Sequence, residues 1–293
     1  MRAWLVLSII IFLSSVTSSV VAATTDVVIQ PKQSKDDASY QYYVDLISLV
    51  LEQTQVEFGE AQLVESTSTF TQSRGFNALN MQRLDLYWAG TNEFRELEYR
   101  AIRIPLMAGL LGVRVPVIKA ANYQMFLQIG TSGQLKALTA CQGDQWPDSD
   151  ILEENGYRVE RVTKFSLMYS MLKQGRCDYF PRGITEVYAE LEAGDKQGLV
   201  AFDKILLSYP FPMYIFVDKS NDALALRLES GLSVLVNSGK LSVFMQQHPV
   251  TKTLFPLEKY SASKLFQLTN QSLPKSTPLD DELLWLKIKT SRH

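Results

Sequence analysis

The chain has 293 residues, 46% hydrophobic and 20% charged, with a formal net charge of -2. That length holds two domains or one large one, and the composition is that of a globular protein rather than a disordered one. The balanced charge, without a Lys/Arg-rich run, argues against a nucleic-acid partner and against attraction to anionic membrane surfaces.

In chain order, Arg2 precedes an apolar run over residues 3–13, and VVAA at 20–23 supplies the small residues of a secretory cleavage site. An apolar core of about 11 residues is short for a spanning helix, so residues 1–23 are expected to be a cleaved signal peptide, with an uncleaved anchor as the alternative. The absence of a Cys after the run excludes a lipoprotein anchor. DVVIQP (26–31) reads as a first strand. A helix follows from Asp36 or Asp37 to about Phe58, with Tyr43, Ile47, Val50 and Leu51 on one face. AQLVES (61–66) is a second strand, a helix is expected over 73–81, and LDLYWAG (84–90) is a third strand. Short connections between these elements argue for a mostly parallel sheet with covering helices. Thr91 and Arg95 follow the third strand. Thr91 is placed to cap the next turn or to offer its hydroxyl to a ligand, and Arg95 to grip a carboxylate at two points. The competing reading is a solvated, charged helix start.

Residues 102–119 form a long apolar passage interrupted by Pro105, Gly109, Gly112 and Pro116, which argues for segmented extended chain rather than an interior strand. A second α/β unit begins near Ala120. Its strand TACQG (139–143) runs into Gly143, Asp144, Gln145 and Trp146 and then a helix. The open N-H groups of that helix start suit an anion, Gly143 permits close approach, and Trp146 is placed as an apolar wall. Alternatively, Asp144 or Asp148 caps the helix and Trp146 packs in the core. After the strand at 157–162 and the helix at 165–175 comes GRCDYFPRGITEVYAEL (175–191). It reads as a strand over 177–180, a stop at Pro181, a turn through Arg182 and Gly183, and a new helix. Ligands collect at such strand-to-helix junctions, so Arg182 is a candidate ligand contact, with an ordinary surface arginine as the alternative. Residues 204–219 form a second apolar passage broken by Pro210 and Pro212. The two passages imply an inserted domain. Lobe 1 is expected to comprise residues 24–117 and 211–293, and lobe 2 residues 118–210, with hinges at 113–119 and 208–216. The remainder is expected to be helical, with Trp285 docking the tail on the fold.

Cys141 and Cys177 are the only cysteines. They either pair or remain as two buried thiols, since the register of their strands is not readable. Two Cys and two His (His248 and His293), widely scattered, give no metal-ligand spacing, and neither a metal nor a cofactor is expected.

The signal sequence, the two mirrored α/β units, LDLYWAGTNEFRE and the two Pro-containing crossings together resemble the bacterial extracellular solute-binding proteins of family 3. QGDQWPDSDILEENGY, the Arg182 segment and LPKSTPL resemble a branch of that family with little assigned function. The resemblance implies a periplasmic type II binding fold, α/β, with two lobes and two crossover hinges. It also implies a monomer that binds a small-molecule solute and has a membrane transporter or sensor as its partner. By the same resemblance, Thr91 and Arg95 fall where a ligand carboxylate is held. Gly143, Asp144 and Trp146 replace a Gly-Ser/Thr-Thr turn, and Arg182 and Gly183 stand where an Asp usually meets the ligand ammonium. That exchange of an anion for a cation leads to the expectation of an anionic solute. The alternatives are a dehydratase-like enzyme using Asp144, Asp148 or Glu186, and a sensing module.

Overall fold

The computed structural model describes residues 24–33, 37–193 and 196–290. Residues 1–23, where a cleaved signal peptide is expected, Asp36 and His293 lie outside them.

Strand β1 (Thr25–Ile29) is followed by helices α1 (Tyr40–Gln53) and α2 (Gln55–Phe58). The expected single helix is thus broken at Thr54, whose hydroxyl donates back to Val50 O at 2.8 Å. The face carrying Tyr43, Ile47, Val50 and Leu51 is buried, as the spacing predicts. Strand β2 (Ala61–Glu65) pairs in parallel with β1, and α3 (Gln72–Asn80) leads to β3 (Leu86–Gly90). β3 is tied to β1 through Asp85, whose N-H donates to Val28 O at 2.8 Å and whose carboxylate accepts from Val28 N at 2.6 Å. Helix α4 (Glu93–Glu98) and strand β4 (Arg100–Ile102) complete this pass.

Strand β5 (Val113–Lys119) begins a second sheet. It contains Pro116, against the expectation that proline excludes an interior strand. Pro116 lies opposite Pro181 on one neighbouring strand, so neither N-H is required there. On its other side the carbonyl accepts from Phe202 N at 2.8 Å, where two other paired strands leave a gap. Helices α5 (Tyr123–Leu127) and α6 (Ser132–Lys136) precede β6 (Thr139–Gly143), α7 (Pro147–Glu154), β7 (Arg158–Val162) and α8 (Phe165–Lys173). β8 (Tyr179–Gly183) runs through Pro181 and Arg182 instead of stopping at them, because its antiparallel partner β5 continues alongside to Arg114. After α9 (Val187–Glu192), strands β9 (Leu199–Ala201) and β10 (Ile205–Ser208) flank β5.

The chain returns to the first lobe in β11 (Met213–Val217), which lies between β3 and β4, antiparallel to both. Helices α10 (Asp222–Asn237) and α11 (Lys240–Gln247) follow. The crossings therefore span residues 103–112 and 209–212, and the segment expected to form the first hinge is β5 itself. A third crossing was not expected. Strand β12 (Lys264–Gln267) pairs in parallel with β10, placing part of the 211–293 segment on the second sheet. The tail then returns across the hinge region. Trp285 covers Gly109, its Nε1 donates to Pro278 O at 2.7 Å, and Leu286 N donates to Ala108 O at 2.9 Å.

Cys141 and Cys177 are joined in a disulfide, with Cα atoms 5.5 Å apart. Cys177 lies in the turn just before β8 rather than in a core strand. The parallel pairing of Ala140 with Tyr179 brings that turn beside the middle of β6.

Candidate functional site

The carboxyl ends of β3, β6 and β8 meet between the two lobes around a chamber of about 70 Å³. Its wall includes Asp37, Tyr43 and Trp88 from the first lobe and Arg114, Trp146, Asp148, Phe165, Arg182 and Glu186 from the second. Such a volume accommodates a few water-sized groups at most in this arrangement.

Arg182 is 7% exposed. Its guanidinium donates twice to Glu190, at 2.8 and 2.7 Å, and lies 3.1 Å from Glu186 Oε2. Glu190 also accepts from the Tyr169 hydroxyl at 2.6 Å. The cation sits 5.1 and 5.2 Å from the ring centres of Trp146 and Phe165. Burial opposes its charge, but Glu186 and Glu190 outweigh that and hold the guanidinium protonated. Arg114, 1% exposed, forms an ion pair with Asp148 and donates to the Tyr209 hydroxyl at 3.0 Å; Tyr209 in turn donates to Asp148 at 2.5 Å. Both arginines are thus charge-balanced within the protein, and neither offers an unmatched guanidinium to an anion.

The unmatched groups are of the other kind. Burial, opposed by Arg182 and reinforced by Glu190, pushes the Glu186 carboxyl up to about 7. Its Oε2 makes no hydrogen bond, and the missing side chain of Gly183 leaves the room in which that oxygen sits. The hydroxyl of Tyr43, 2% exposed and stacked on Trp88, also lacks a hydrogen-bond partner. Asp37 accepts from the Ser39 hydroxyl at 3.0 Å, and burial beside Glu190 raises its pKa. A buried donor and two partly uncompensated carboxylates are costly to leave unserved.

Thr91 and Arg95 are buried beside this chamber but outside its wall. Asn92, not Thr91, caps α4 by accepting from Arg95 N at 2.9 Å, and the Thr91 hydroxyl donates to Glu96 at 2.7 Å. The Arg95 guanidinium donates to Gly90 O, to Gln72 Oε1 at 2.7 Å and to Gln145 O at 3.2 Å. Burial lowers its pKa only to about 10, so it stays charged. Gln145 reaches the first lobe a second time, accepting from Ser73 N at 3.3 Å. The loop after β6 therefore latches the two lobes together. Gly143 packs under the Trp146 ring, which excludes any side chain there, and Asp144 is exposed on the outer side of the same loop.

Against solved structures, the chain superposes on the substrate-binding protein of an amino acid ABC transporter with a TM-score of 0.56 at 15% identity, covering 76% of this chain and 98% of that one. The two-lobed sheets and this superposition decide the architecture. The chain has the type II periplasmic binding fold. The same binding-protein fold is shared with an arginine-specific periplasmic binding protein of Salmonella typhimurium (TM-score 0.56, 12% identity, 77% and 99% covered). It is shared too with a histidine kinase sensor domain similar to periplasmic binding proteins (0.55, 15%, 75% and 93%). No protein-family model and no curated protein matches the sequence.

Within this binding-protein fold, the sequence points to Trp146 and Arg182 beside the chamber but not to Arg114 or Glu190. Arg114 carried a readable signal, because a charge inside the apolar run VRVPV must be paired if the strand is buried. Glu190 carried none, since it reads as an ordinary helix surface residue. Tyr43, with Tyr40 and Tyr42, reads in the sequence as helix packing or, less favoured, as a ligand-stacking cluster. It does pack, while its hydroxyl faces unserved polar company.

Proposed function

We propose that the protein is an exported, periplasmic solute-binding protein whose lobes close on a small polar solute bearing a cationic group, for uptake or for signalling to a membrane partner. The observation that carries this reading is the inner chamber, where Arg114 and Arg182 are neutralised, the carboxylates Asp37, Asp148, Glu186 and Glu190 outnumber them, and the Tyr43 hydroxyl has no hydrogen-bond partner. An ammonium or guanidinium supplies the missing donors and charge, whereas an anion would meet Glu186 and Asp37 and be repelled. The expected anionic solute therefore loses its support, because Arg182 spends its charge on Glu190 and Glu186. The arginine specificity of the Salmonella typhimurium neighbour agrees with the cationic class, although the likeness itself speaks for the fold.

Because the chamber is small while the lobes are latched, entry requires the cleft to open at residues 103–112 and 209–212, and the solute must bind the closed state better than the open one. A thermal-shift panel of amines, guanidines, amino acids and dicarboxylates tests the reading. A cationic solute at a hundred times its dissociation constant stabilises by about 2.7 kcal/mol. Stabilisation by dicarboxylates alone would overturn it.

A further inference from the structure

Outward from the inner chamber the cleft widens into a second cavity of about 270 Å³, also walled by both lobes. The two spaces are continuous, since Gln33, Gln72, Trp146 and Phe165 line both and form a neck. Their charges are opposite in sign. The inner wall sets Asp37, Asp148 and Glu186 against Arg114 and Arg182, with Glu190 adding a further carboxylate behind Arg182. The outer wall sets Arg74 and Lys164 against Asp144.

Arg74 and Lys164 stand on different lobes, and neither side chain is engaged by an ion pair or hydrogen bond among the described residues. Each is placed where a cation is least favoured. Lys164 is the N-cap residue of α8 and Arg74 lies in the first turn of α3, the ends at which the backbone dipole is positive. Neither helix has an acidic residue in its first turn or a side-chain cap. The outer space therefore concentrates positive potential with little inside the protein to balance it, while the inner end holds the Tyr43 hydroxyl, which has no hydrogen-bond partner, and Glu186 Oε2, which makes no hydrogen bond beyond its ion pair with Arg182.

We propose that the solute is bipolar. Its cationic group enters the inner chamber, and a carboxylate at its other end rests in the outer cavity between Arg74 and Lys164. This assignment rests on the cation-binding reading above and narrows it to molecules whose opposite charges are separated by an uncharged middle that fills the neck. An α-amino acid with a neutral side chain carries both charges on one carbon and leaves one of the two spaces unserved.

The test is isothermal titration of the purified protein with γ-aminobutyrate, δ-aminovalerate and ε-aminocaproate, each beside the n-alkylamine of the same length. At least one of these amino acids is expected to bind tenfold or more tightly than its amine. The exposed double substitution Arg74→Gln with Lys164→Gln is expected to bring that amino acid down to the affinity of the amine. Amines binding as tightly as the amino acids would overturn the bipolar assignment and leave the cation-binding reading standing. An advantage that survives the double substitution would overturn the role of Arg74 and Lys164. Binding of none of these compounds would overturn both readings.

Discussion

Glu186 is the residue on which the electrostatics of the cleft turn. An exposed glutamate titrates near 4.5, and this one is pushed up to about 7 by burial and by Glu190, against the pull of Arg182 and Arg114. Folding thus favours its neutral form. The stability this supplies is complete below about pH 4.5 and is lost as the pH rises through about 7. Glu186→Gln removes that loss, so the solute-free variant should be more stable than the parent at about pH 8, by up to about 3 kcal/mol, and equal to it near pH 4. Denaturant melts at the two pH values check this, and an equal gain at both would show that the effect is packing rather than ionisation. A cation beside the carboxylate favours the charged form, so solute affinity should fall as the pH drops below about 7. None of this is legible from the sequence. The order ITEVYAEL reads as a helix start in which Glu186 is a candidate general acid or base or a cap, and only the return of β8 beside β5 encloses Glu186 and Glu190 with Arg182.

At the scale of elements, the loop between β6 and α7 is the device that joins the lobes. Gln145 contributes its backbone carbonyl to Arg95 and its side-chain oxygen to Ser73 N. Gln145→Ala removes only the second of these, worth about 0.5–1.5 kcal/mol. The expected outcome is a several-fold shift toward the open form without solute, seen as a larger radius of gyration in small-angle scattering, with the melting temperature nearly unchanged. An unchanged radius would assign closure to the Arg95 contact and the packing of the lobes. The elements themselves were largely readable. The strands before residue 90 and the β6-α7-β7-α8 run follow from alternation, apolar spacing and turn residues. The misreadings fall where a local signal is overruled by a neighbour. Pro116 and Pro181 look like strand breakers, yet each occupies a position at which its partner asks for no N-H. Thr91 looks like a cap, but Asn92, one residue on, takes that place.

For the whole molecule, the third crossing matters most. β12 pairs on the second sheet, Thr269 N donates to the Asn155 side chain at 3.0 Å, and Ser272 O accepts from Glu93 N of the first lobe at 2.8 Å. The tail then presses Trp285 against Gly109 at the crossing itself. Trp285→Ala should therefore lower stability by about 2–4 kcal/mol, since it empties a half-buried indole site and frees the Pro278 carbonyl. If the tail were a passive appendage, the loss measured by denaturant unfolding would be under about 0.5 kcal/mol.

The sequence by itself determined the class of this protein. Apolar periodicity, two proline-broken passages and a mirrored order of elements are local signals, and together they specify two α/β lobes and the loops that face each other between them. The tertiary structure alone decided what lines the cleft between them. Whether Arg182 greets a ligand or a glutamate, whether Cys141 meets Cys177, and whether residues 264–267 belong to the first sheet or the second all depend on strand register between distant segments. Register is set by long-range pairing, where a single-residue shift turns every side chain to the opposite face. No window of sequence around Arg182 contains that information, because the partner that fixes its place, β5, lies more than sixty residues earlier in the chain.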